Sequence, residues 1–241
     1  MNSKFWIKRV KEYGHTGWSD KMTYLYDQKL RLMLLEKIIN KYFNQKIKYA
    51  LDYGCGSGDF SNLLGGYSED VLGVDIAKEI ISVAREKYPH IAFDEIDSYR
   101  NNKYEFIIAI TVLQHLLDDN DLKNVLMQFN EVVEKNGIIV IIDSYSNNGE
   151  YSEYLKLRKY QDFLELVLSH NFEILETHNL YHPQKIPTEL YELYRKSFFV
   201  RVLNKLNFYF LLNKVSSVVS RFDNALVLNE SSTKLTIIRK I

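Results

Sequence analysis

The chain has 241 residues with 46% apolar content, which is enough for one sizeable core and favours a single α/β domain with insertions. Its formal net charge is zero, with an acidic middle between basic ends, which argues against a protein that binds nucleic acid over its whole surface. A single cysteine, Cys55, excludes internal disulfides and cysteine-cluster zinc sites, and without an apolar run of roughly 18 to 20 residues we expect a cytoplasmic protein with no membrane span.

Apolar side chains recur every three or four residues from 23 to 43, which predicts an amphipathic helix. Short apolar runs follow it and alternate with helical patterns. The predicted strands are 48–54, 70–77, 91–97, 104–111 and 138–143, and the predicted helices are 60–66, 78–87 and 121–137. Because such strands are typical of a parallel sheet covered on both faces, we predict a doubly wound α/β fold.

The second half of the chain adds one helix and two strands, over 152–171, 172–180 and 234–241. An insertion of about 50 residues separates the two strands and is longer than an ordinary connection. We interpret it and the N-terminal region as caps over the strand ends, where open α/β sheets bind ligands. The predicted organisation is an N-terminal helical cap (1–44), a core (45–180), a helical cap insertion (181–230) and a final core strand (231–241).

Three glycines follow the first predicted strand, in the sequence LDYGCGSG. A glycine-rich turn between a strand and a helix lets a ligand approach the backbone, because no Cβ intervenes. The dinucleotide fingerprint requires another glycine three residues after Gly56, and Asp59 stands there instead. Asp52, two residues before Gly54, would repel a diphosphate and attract a cationic ligand.

A second acidic residue, Asp75, ends the next predicted strand, 21 residues after Gly54. An acidic side chain at this point can accept hydrogen bonds from both hydroxyls of a ribose. The glycine turn, Asp52 and Asp75 together therefore predict a site for a nucleoside that carries positive charge.

These segments resemble the class I S-adenosylmethionine-dependent methyltransferases over about residues 45–180. LDYGCGSG matches their first motif, GVDIAKEII their second, and YEFIIAITVLQHL and VVEKNGIIVIIDS their fourth and fifth strands. The resemblance implies a seven-stranded, mostly parallel sheet whose last strand is antiparallel, and S-adenosylmethionine as cofactor with S-adenosylhomocysteine as product. The residues expected at the cofactor are Asp52, Gly54, Cys55, Gly56, Asp75, Ile76, Asp97, Ser98 and Thr111.

Three parts of this predicted cofactor site have assigned roles. The resemblance places Asp97 and Ser98 near the adenine amine, with Asp94 as an alternative because the segment is short, and Thr111 at the methionine portion. Arg31, on the first predicted helix, either binds the cofactor carboxylate or belongs to a solvated face.

Methyl transfer needs alignment and, for a hydroxyl acceptor, a base, and no metal is required. His115 is either that base or a packing residue that caps the next helix. Asp143 either accepts a proton or holds a substrate hydroxyl, or it forms an Asx turn within its own loop. For Asp118, Asp119 and Asp121 we favour helix capping over metal binding.

The 181–230 insertion mixes aromatic residues with six Lys or Arg between 195 and 221. We favour a core or homodimer contact for Phe198, Phe199, Phe208 and Phe210. The alternative is a basic amphipathic surface that contacts a membrane or an anionic substrate. With the basic N-terminal region, these charges suggest a small substrate that bears phosphate.

We therefore predict a methyltransferase that acts on oxygen of a small polar metabolite, such as a nucleotide-linked sugar for a bacterial surface polysaccharide. Transfer to nitrogen is the alternative within the enzyme class. Outside it, the alternatives are a protein that binds the cofactor without catalysis and a nicotinamide-dependent oxidoreductase. Nucleic acid is not an expected partner, because the acidic middle offers no basic stripe and ITVLQH stands where an Asn-Pro-Pro-Tyr type motif would lie.

Overall fold

The computed structural model describes residues 3–241, except for the side chain of Ser3. The helices are α1 (Ser3–Tyr13), α2 (Lys21–Tyr42), α3 (Asp59–Gly65), α4 (Lys78–Lys87), α5 (Asp119–Val132), α6 (Tyr160–Ser169), α7 (Glu189–Lys196), α8 (Phe198–Lys205) and α9 (Tyr209–Ser220). The strands are β1 (Ile47–Tyr53), β2 (Ser68–Asp75), β3 (Ala92–Glu95), β4 (Tyr104–Ile110), β5 (Val133–Ser144), β6 (Glu150–Tyr151), β7 (Lys156–Leu157), β8 (Phe172–Leu180) and β9 (Thr233–Lys240). Short 3-10 helices cover Ser98–Asn101 and Leu113–His115.

The main sheet has seven strands in the order β3-β2-β1-β4-β5-β9-β8. The pairs from β3 to β5 are parallel, and β9 runs antiparallel to β5. This confirms the predicted doubly wound α/β sheet with an antiparallel last strand. The strand order reverses between β1 and β4, and the crevice at such a reversal is where open α/β sheets bind ligands.

The centre of the sheet is almost entirely apolar and buried. Phe106, Ile107 and Ile108 of β4 are fully buried, as are Val140 and Ile141 of β5. Strands buried on both faces need no polar alternation, which is why the sequence shows continuous aliphatic runs there.

The described residues form two compact units. The first comprises residues 3–16, 45–178 and 232–241 and contains most of the sheet. The second comprises residues 17–44 and 179–231 and contains α2, α7, α8 and α9. None of the helices between residues 3 and 241 combines the length and apolar content needed to cross a membrane.

Tyrosine side chains form the core of the second unit and carry its polar contacts. The rings of Tyr26 and Tyr194 lie 4.8 Å apart, and Tyr191 is also buried. The Tyr26 hydroxyl donates to Asp223 at 2.6 Å, and the Tyr191 and Thr23 hydroxyls lie 2.8 Å apart. Each buried hydroxyl thus finds a partner within the unit, as burial of a polar group requires.

The helix predicted over 121–137 is shorter than expected, because α5 ends at Val132 and β5 begins at Val133. Asn136 has a positive φ of 64°, and a Cβ at Gly137 would lie 2.6 Å from the Val133 side chain. Gly137 therefore permits an irregular start of β5 and does not cap a helix.

The helix predicted over 152–171 is wrong in its first half. Residues 150–157 form a hairpin of the short strands β6 and β7, and α6 begins only at Tyr160. Arg158 donates to the carbonyl of Leu116 at 2.7 Å and to Asp119 at 2.8 Å. These distant contacts outweigh the local helix propensity.

The predicted helical insertion contains three helices, α7, α8 and α9. The prediction of core positions is wrong for four aromatic residues in the isolated chain. The side chains of Phe198, Phe199, Phe208 and Phe210 are all more than half exposed. A homodimer contact stays a prediction.

Candidate functional site

The turn after β1 is held in a conformation that suits glycine. Gly54, Gly56 and Gly58 have φ values of +77°, +52° and +80°, in the left-handed region that L side chains rarely adopt. A Cβ at Gly54 would also lie 2.4 Å from the Val112 side chain, which follows β4. The carboxyl ends of β1 and β4 thus lie close together at the point where the strand order of the sheet reverses.

The backbone N–H groups of this turn are mostly used inside the protein. Those of Gly54 and Cys55 both donate to the Val74 carbonyl, at 2.8 and 2.9 Å, and that of Gly58 donates to Cys55. The Gly56 N–H donates to a carboxylate oxygen of Asp75 at 3.1 Å. Loops that bind phosphate aim such groups at the ligand, and this turn does not.

Asp75 is buried at the end of β2 and is oriented from both sides. Its second oxygen accepts a hydrogen bond from the Ala77 N–H at 3.1 Å. Burial raises the pKa of this carboxyl group, and the backbone donors oppose that rise. Because a carboxylate oxygen can accept two hydrogen bonds, each oxygen keeps capacity for a hydroxyl of a ligand.

Asp52 is a second buried carboxylate beside the same turn. Ser61 on α3 donates a hydrogen bond to it at 2.6 Å, and among the described residues neither Asp52 nor Asp75 forms an ion pair. Burial raises the pKa of Asp52 to about 7, with a further contribution from the charge of Asp75. A cationic ligand would balance this charge, whereas a diphosphate would add to it.

Thr111 stands at the carboxyl end of β4 in a strained conformation. Its φ is +55°, which is a genuine outlier for a β-branched residue. Its N–H donates to the Ile142 carbonyl at 2.6 Å, and its hydroxyl donates to the Ile110 carbonyl at 2.7 Å. Strain of this kind is concentrated at ligand sites, where the surrounding structure imposes it.

The N-terminal segment of the first unit lies against the glycine turn. A Cβ at Gly56 would be 2.7 Å from the Thr16 hydroxyl, and Arg9 of α1 donates to the Thr16 carbonyl at 3.1 Å. Trp6 of α1 packs against a small apolar cluster formed by Val10, Ala77 and Ile80. Sequence patterns did not single out Thr16 or Trp6, because their role depends on contacts with residues 40 or more positions away.

Asp97 and Ser98, the two residues expected at the adenine, lie in the segment after β3. The Asp97 side chain is exposed and that of Ser98 is partly exposed. Asp97 pairs with Arg100 at 2.8 Å, and the Ser98 hydroxyl donates to the Glu95 carbonyl at 2.9 Å. Asp94 is also exposed and accepts from the Glu95 N–H. Contact of Asp97 and Ser98 with adenine stays a prediction.

Arg31 belongs to the second unit, where its Nε lies 3.0 Å from a carboxylate oxygen of Asp27. Both side chains are buried, so the solvated-face alternative for Arg31 is wrong. The Tyr181 hydroxyl donates to the same Asp27 oxygen at 2.6 Å. Binding of the cofactor carboxylate by Arg31 stays a prediction.

A family model described as a methyltransferase domain matches residues 22–211, which is most of the chain. The chain belongs to this methyltransferase family. A curated relative, an uncharacterised methyltransferase from Bacillus cereus, is 28% identical over 140 residues, which cover 56% of this chain and 63% of the relative. The chain therefore spans less than two thirds of the length of that relative, and the same holds for a 27% identical relative from Bacillus anthracis.

Solved structures show the same fold at low sequence identity. An S-adenosylmethionine-dependent methyltransferase from Clostridium acetobutylicum has a TM-score of 0.59 at 12% identity. The alignment covers 89% of this chain and 92% of the Clostridium protein. Magnesium protoporphyrin IX methyltransferase from Synechocystis, solved with bound S-adenosylmethionine, has a TM-score of 0.61 at 12% identity. The alignment covers 100% of this chain and 93% of the Synechocystis protein.

S-adenosylmethionine, the cosubstrate that membership of this methyltransferase family implies, fits the residues present. The carboxylates of Asp52 and Asp75, which form no ion pair with a described residue, suit a cationic ligand with ribose hydroxyls. Contact of Cys55 with the cofactor stays a prediction; its thiol is buried, and burial raises the pKa of the thiol well above the usual value.

His115, the base predicted for the methyltransferase, is buried in a 3-10 helix directly after β4. Its Nδ1 lies 2.6 Å from the Tyr154 carbonyl, which only accepts, so Nδ1 carries the proton. The Gln114 side chain accepts from the Ser144 N–H at 2.8 Å, which turns its amide nitrogen toward Nε2 of His115 at 3.3 Å. Burial lowers the pKa of His115, so the ring is neutral at pH 7 with an accepting Nε2.

Aromatic rings surround His115 and were not predicted to do so. Trp6 lies edge-on at 4.7 Å between ring centroids, and Tyr154 stacks on Phe5 at 4.3 Å. Tyr154 sits in the β6–β7 hairpin, which the sequence pattern assigned to a helix. Because of that wrong assignment, the sequence did not identify Tyr154, whose carbonyl fixes the tautomer of His115.

Asp143 lies at the end of β5 and is only 2% exposed. Neither carboxylate oxygen makes a hydrogen bond to a described residue, so the Asx turn is not present. Burial raises its pKa to about 8, opposed in part by the N–H groups of Gln114, Val112 and Leu113, which face it without hydrogen-bond geometry. A direct role of Asp143 on substrate stays a prediction.

Two of the three aspartates at the start of α5, Asp118 and Asp119, make structural contacts. Asp118 is the N-cap and accepts from the Asn120 N–H at 2.8 Å, which confirms the capping interpretation. Asp119 pairs with Lys156 and Arg158, each at 2.8 Å. Across residues 3–241, His, Cys, Asp and Glu side chains form no group of three that could hold a metal ion.

Proposed function

We propose that this protein transfers the methyl group of S-adenosylmethionine to an oxygen of a small polar metabolite. The proposal is carried by the two buried carboxylates, Asp52 and Asp75, beside a turn whose N–H groups are bonded internally. That combination favours a cationic nucleoside over a dinucleotide. When bound, this cofactor supplies a methyl group already activated by a positively charged sulfur.

The residues of the first unit would then hold the cofactor and the acceptor in line. Asp75 accepts hydrogen bonds from the ribose hydroxyls, and Asp52 balances positive charge. Thr111 lines the methionine portion. His115 accepts the proton of the acceptor hydroxyl through Nε2, where the hydroxyl replaces the Gln114 amide, because Nδ1 is already committed to the Tyr154 carbonyl.

The second unit offers a cavity that supports a phosphate-bearing acceptor, such as a nucleotide-linked sugar for a surface polysaccharide. The cavity has a volume of about 430 Å³, and Arg195, Lys196 and Arg201 line it. Arg195 and Lys196 share Glu192 at 2.7 and 2.5 Å. Arg201 forms no ion pair within the described part of the chain, so its charge is uncompensated there.

A phosphate group would suit this cavity for two further reasons. Gln184 provides an amide donor for the remaining oxygens or for a sugar, whereas the Thr23 hydroxyl donates to Asp20, which also lines the cavity, and the Tyr191 hydroxyl pairs with Thr23. Guanidinium groups bind phosphate in two-pronged geometry, which gives orientation as well as affinity. A cytoplasmic location, which the single cysteine favours, would give access to such intermediates.

The same burial of His115 favours a second candidate, transfer to nitrogen. A nitrogen acceptor needs little help from a base, so a partly enclosed histidine would then serve only in packing. The His115→Ala variant separates the two, since an oxygen acceptor requires the base and a nitrogen acceptor does not.

The proposal is tested first by calorimetric titration with S-adenosylhomocysteine and, separately, with NAD. We expect binding of the first and none of the second. Incubation with S-adenosylmethionine and a panel of sugar phosphates and nucleotide-linked sugars, followed by release of S-adenosylhomocysteine, then tests transfer. Binding of NAD in place of S-adenosylhomocysteine would overturn the assignment, and cofactor binding without any product would favour a non-catalytic protein.

A further inference from the structure

The segment from Phe198 to Phe222, called here the α8–α9 surface, exposes an unusual number of large apolar side chains. Phe198 is 82% exposed and Phe222 79%. The other exposed members are Phe199, Leu206, Phe208, Tyr209, Phe210, Leu211 and Val218. Single exposed apolar residues are ordinary, but a contiguous set marks a surface that contacts another molecule or a membrane.

Helix α9 has two faces of opposite character. Leu212, Ser216 and Ser220 are buried at a spacing of four residues. Phe210, Lys214 and Val218 share that spacing but are offset by two positions, and they are exposed. Since a shift of two residues rotates a side chain by about 200°, the exposed apolar stripe lies opposite the buried face.

The connection between α8 and α9 is exposed along its whole length. All seven residues from 205 to 211 are exposed, and five of them are large and apolar: Leu206, Phe208, Tyr209, Phe210 and Leu211. Asn207 has a positive φ of 57°, which turns the chain between the two helices. The turn therefore projects apolar side chains into solvent, which is a costly arrangement for a surface in contact with water alone.

The charged residues within the α8–α9 surface have one sign. Between 198 and 222 the chain has four Lys or Arg and no Asp or Glu: Arg201, Lys205, Lys214 and Arg221. Arg195 and Lys196, before this surface, are paired with Glu192. The Lys214 ammonium lies 4.4 Å from the centre of the Phe210 ring, so cation and aromatic ring occupy the same face. A surface of this kind complements a negatively charged, partly apolar partner.

We propose that the α8–α9 surface binds the surface of an anionic lipid bilayer. The apolar side chains of residues 205–211 insert into the interfacial layer, and Lys205, Lys214 and Arg221 face the anionic headgroups. Aromatic rings and long cationic side chains are the residues that suit this layer, because each has an apolar body and a polar end.

The charges of the α8–α9 surface favour a bilayer over a second copy of the chain. An isologous dimer would place this surface against itself, and the four cations on each side, with no Asp or Glu between residues 198 and 222, would repel. Helices α8 and α9, of 8 and 12 residues, are too short to span a bilayer, so the surface lies on the membrane.

Vesicle co-sedimentation of the full chain tests the proposal, with phosphatidylcholine vesicles compared to vesicles that also contain phosphatidylglycerol. We expect binding to the anionic vesicles, weakened by salt. Phe208→Ser with Phe210→Ser should lower the partition coefficient at least about tenfold, because buried apolar area is lost. Lys205→Gln and Lys214→Gln should each lower it roughly fivefold.

Matched controls lie in the first unit. Leu168→Ser on α6, 55% exposed, and Lys123→Gln on α5 change the same residue types outside the α8–α9 surface and should leave binding unchanged. Thermal unfolding followed by circular dichroism checks that each variant folds. A Phe208→Trp variant adds a local signal, since its emission should shift to the blue on anionic vesicles.

Three outcomes would overturn the proposal. One is the absence of binding to either type of vesicle. Another is binding that the Phe208 and Phe210 substitutions leave unchanged. The third is a wild-type dimer in analytical ultracentrifugation that the same double substitution converts to monomer, which would assign the surface to a second copy of the chain.

Discussion

The backbone N–H of Gly56 donates a hydrogen bond to the carboxylate of Asp75 at 3.1 Å, which joins the turn after β1 to the end of β2. The carboxylate that we assign to the ribose is therefore positioned by the turn that we assign to the same cofactor. A substitution at either residue should therefore disturb the position of the other.

Replacement of Asp75 by Ala should weaken binding of S-adenosylhomocysteine at least tenfold. The variant loses hydrogen bonds to a charged acceptor, each worth about 1.5 to 3 kcal/mol, and leaves the Gly56 N–H without its acceptor. Isothermal titration calorimetry measures the effect. Asp70→Asn, an exposed position at the opposite end of β2, is the control and should bind like the wild type. Equal affinities for the two variants would contradict the assignment.

Replacement of Gly54 by Ala should destabilise the first unit and abolish cofactor binding. Positive φ costs a residue with a Cβ about 1 kcal/mol, and the contact at 2.4 Å with Val112 adds roughly 1 to 3 kcal/mol. Gly14→Ala separates the two effects, because Gly14 has a φ of +74° and no atom within 4 Å of its Cβ position. Urea denaturation should show the smaller loss for Gly14→Ala, together with intact binding.

His115→Ala should lower kcat at least about 10²-fold for an oxygen acceptor. For the wild type, kcat/KM should be constant near pH 7 to 8 and fall as the pH drops below the lowered pKa of His115, where the ring becomes protonated. Thermal unfolding shows whether the variant remains folded. A variant with full activity would point to nitrogen as the acceptor atom.

Asp143→Asn should flatten the dependence of stability on pH. Burial raises the pKa of Asp143 from 3.8 to about 8, so the folded chain keeps a proton that the unfolded chain loses in this range. This contribution to the free energy of unfolding is complete below about pH 4 and is lost as the pH rises to about 8. The variant should lose less stability across that window, by at least about 1 kcal/mol.

Urea denaturation at several pH values between 4 and 8 measures this difference. Asp97→Asn is the matched control, because the Asp97 side chain is exposed and substitution there should leave the pH dependence as in the wild type. A steeper decline in Asp143→Asn than in the wild type would refute the assigned direction.

Arg201→Gln should raise KM for a phosphate-bearing acceptor about tenfold and leave kcat nearly unchanged. One charge-assisted hydrogen bond of about 1.5 to 3 kcal/mol accounts for such a change. Arg221→Gln lies in the same unit but outside the cavity lining and serves as control. An equal effect of both substitutions would indicate a general charge effect and no phosphate site.

The central strands of the sheet and the position of the glycine turn could be predicted from local sequence. Continuous aliphatic runs such as residues 138–143 identify buried parallel strands, because a strand covered on both faces has no polar side. The glycines and Asp75 could be found because their requirement is local: a positive φ or a carboxylate at a strand end. Asp118 could be identified as a cap for the same reason.

Tertiary structure alone placed Tyr154 against His115, Thr16 against Gly56 and Arg158 against the loop before α5. The members of each pair are about 40 residues apart in sequence, and contacts at such separation leave no periodic signal. The burial of Asp143 and the exposure of the α8–α9 aromatic residues were hidden likewise, since a sequence pattern gives the face of a helix but not what covers it. The sequence by itself thus determined which strands form the sheet and where its ligand turn lies, whereas packing between distant segments decided which polar groups are buried, which are paired and which surface stays apolar.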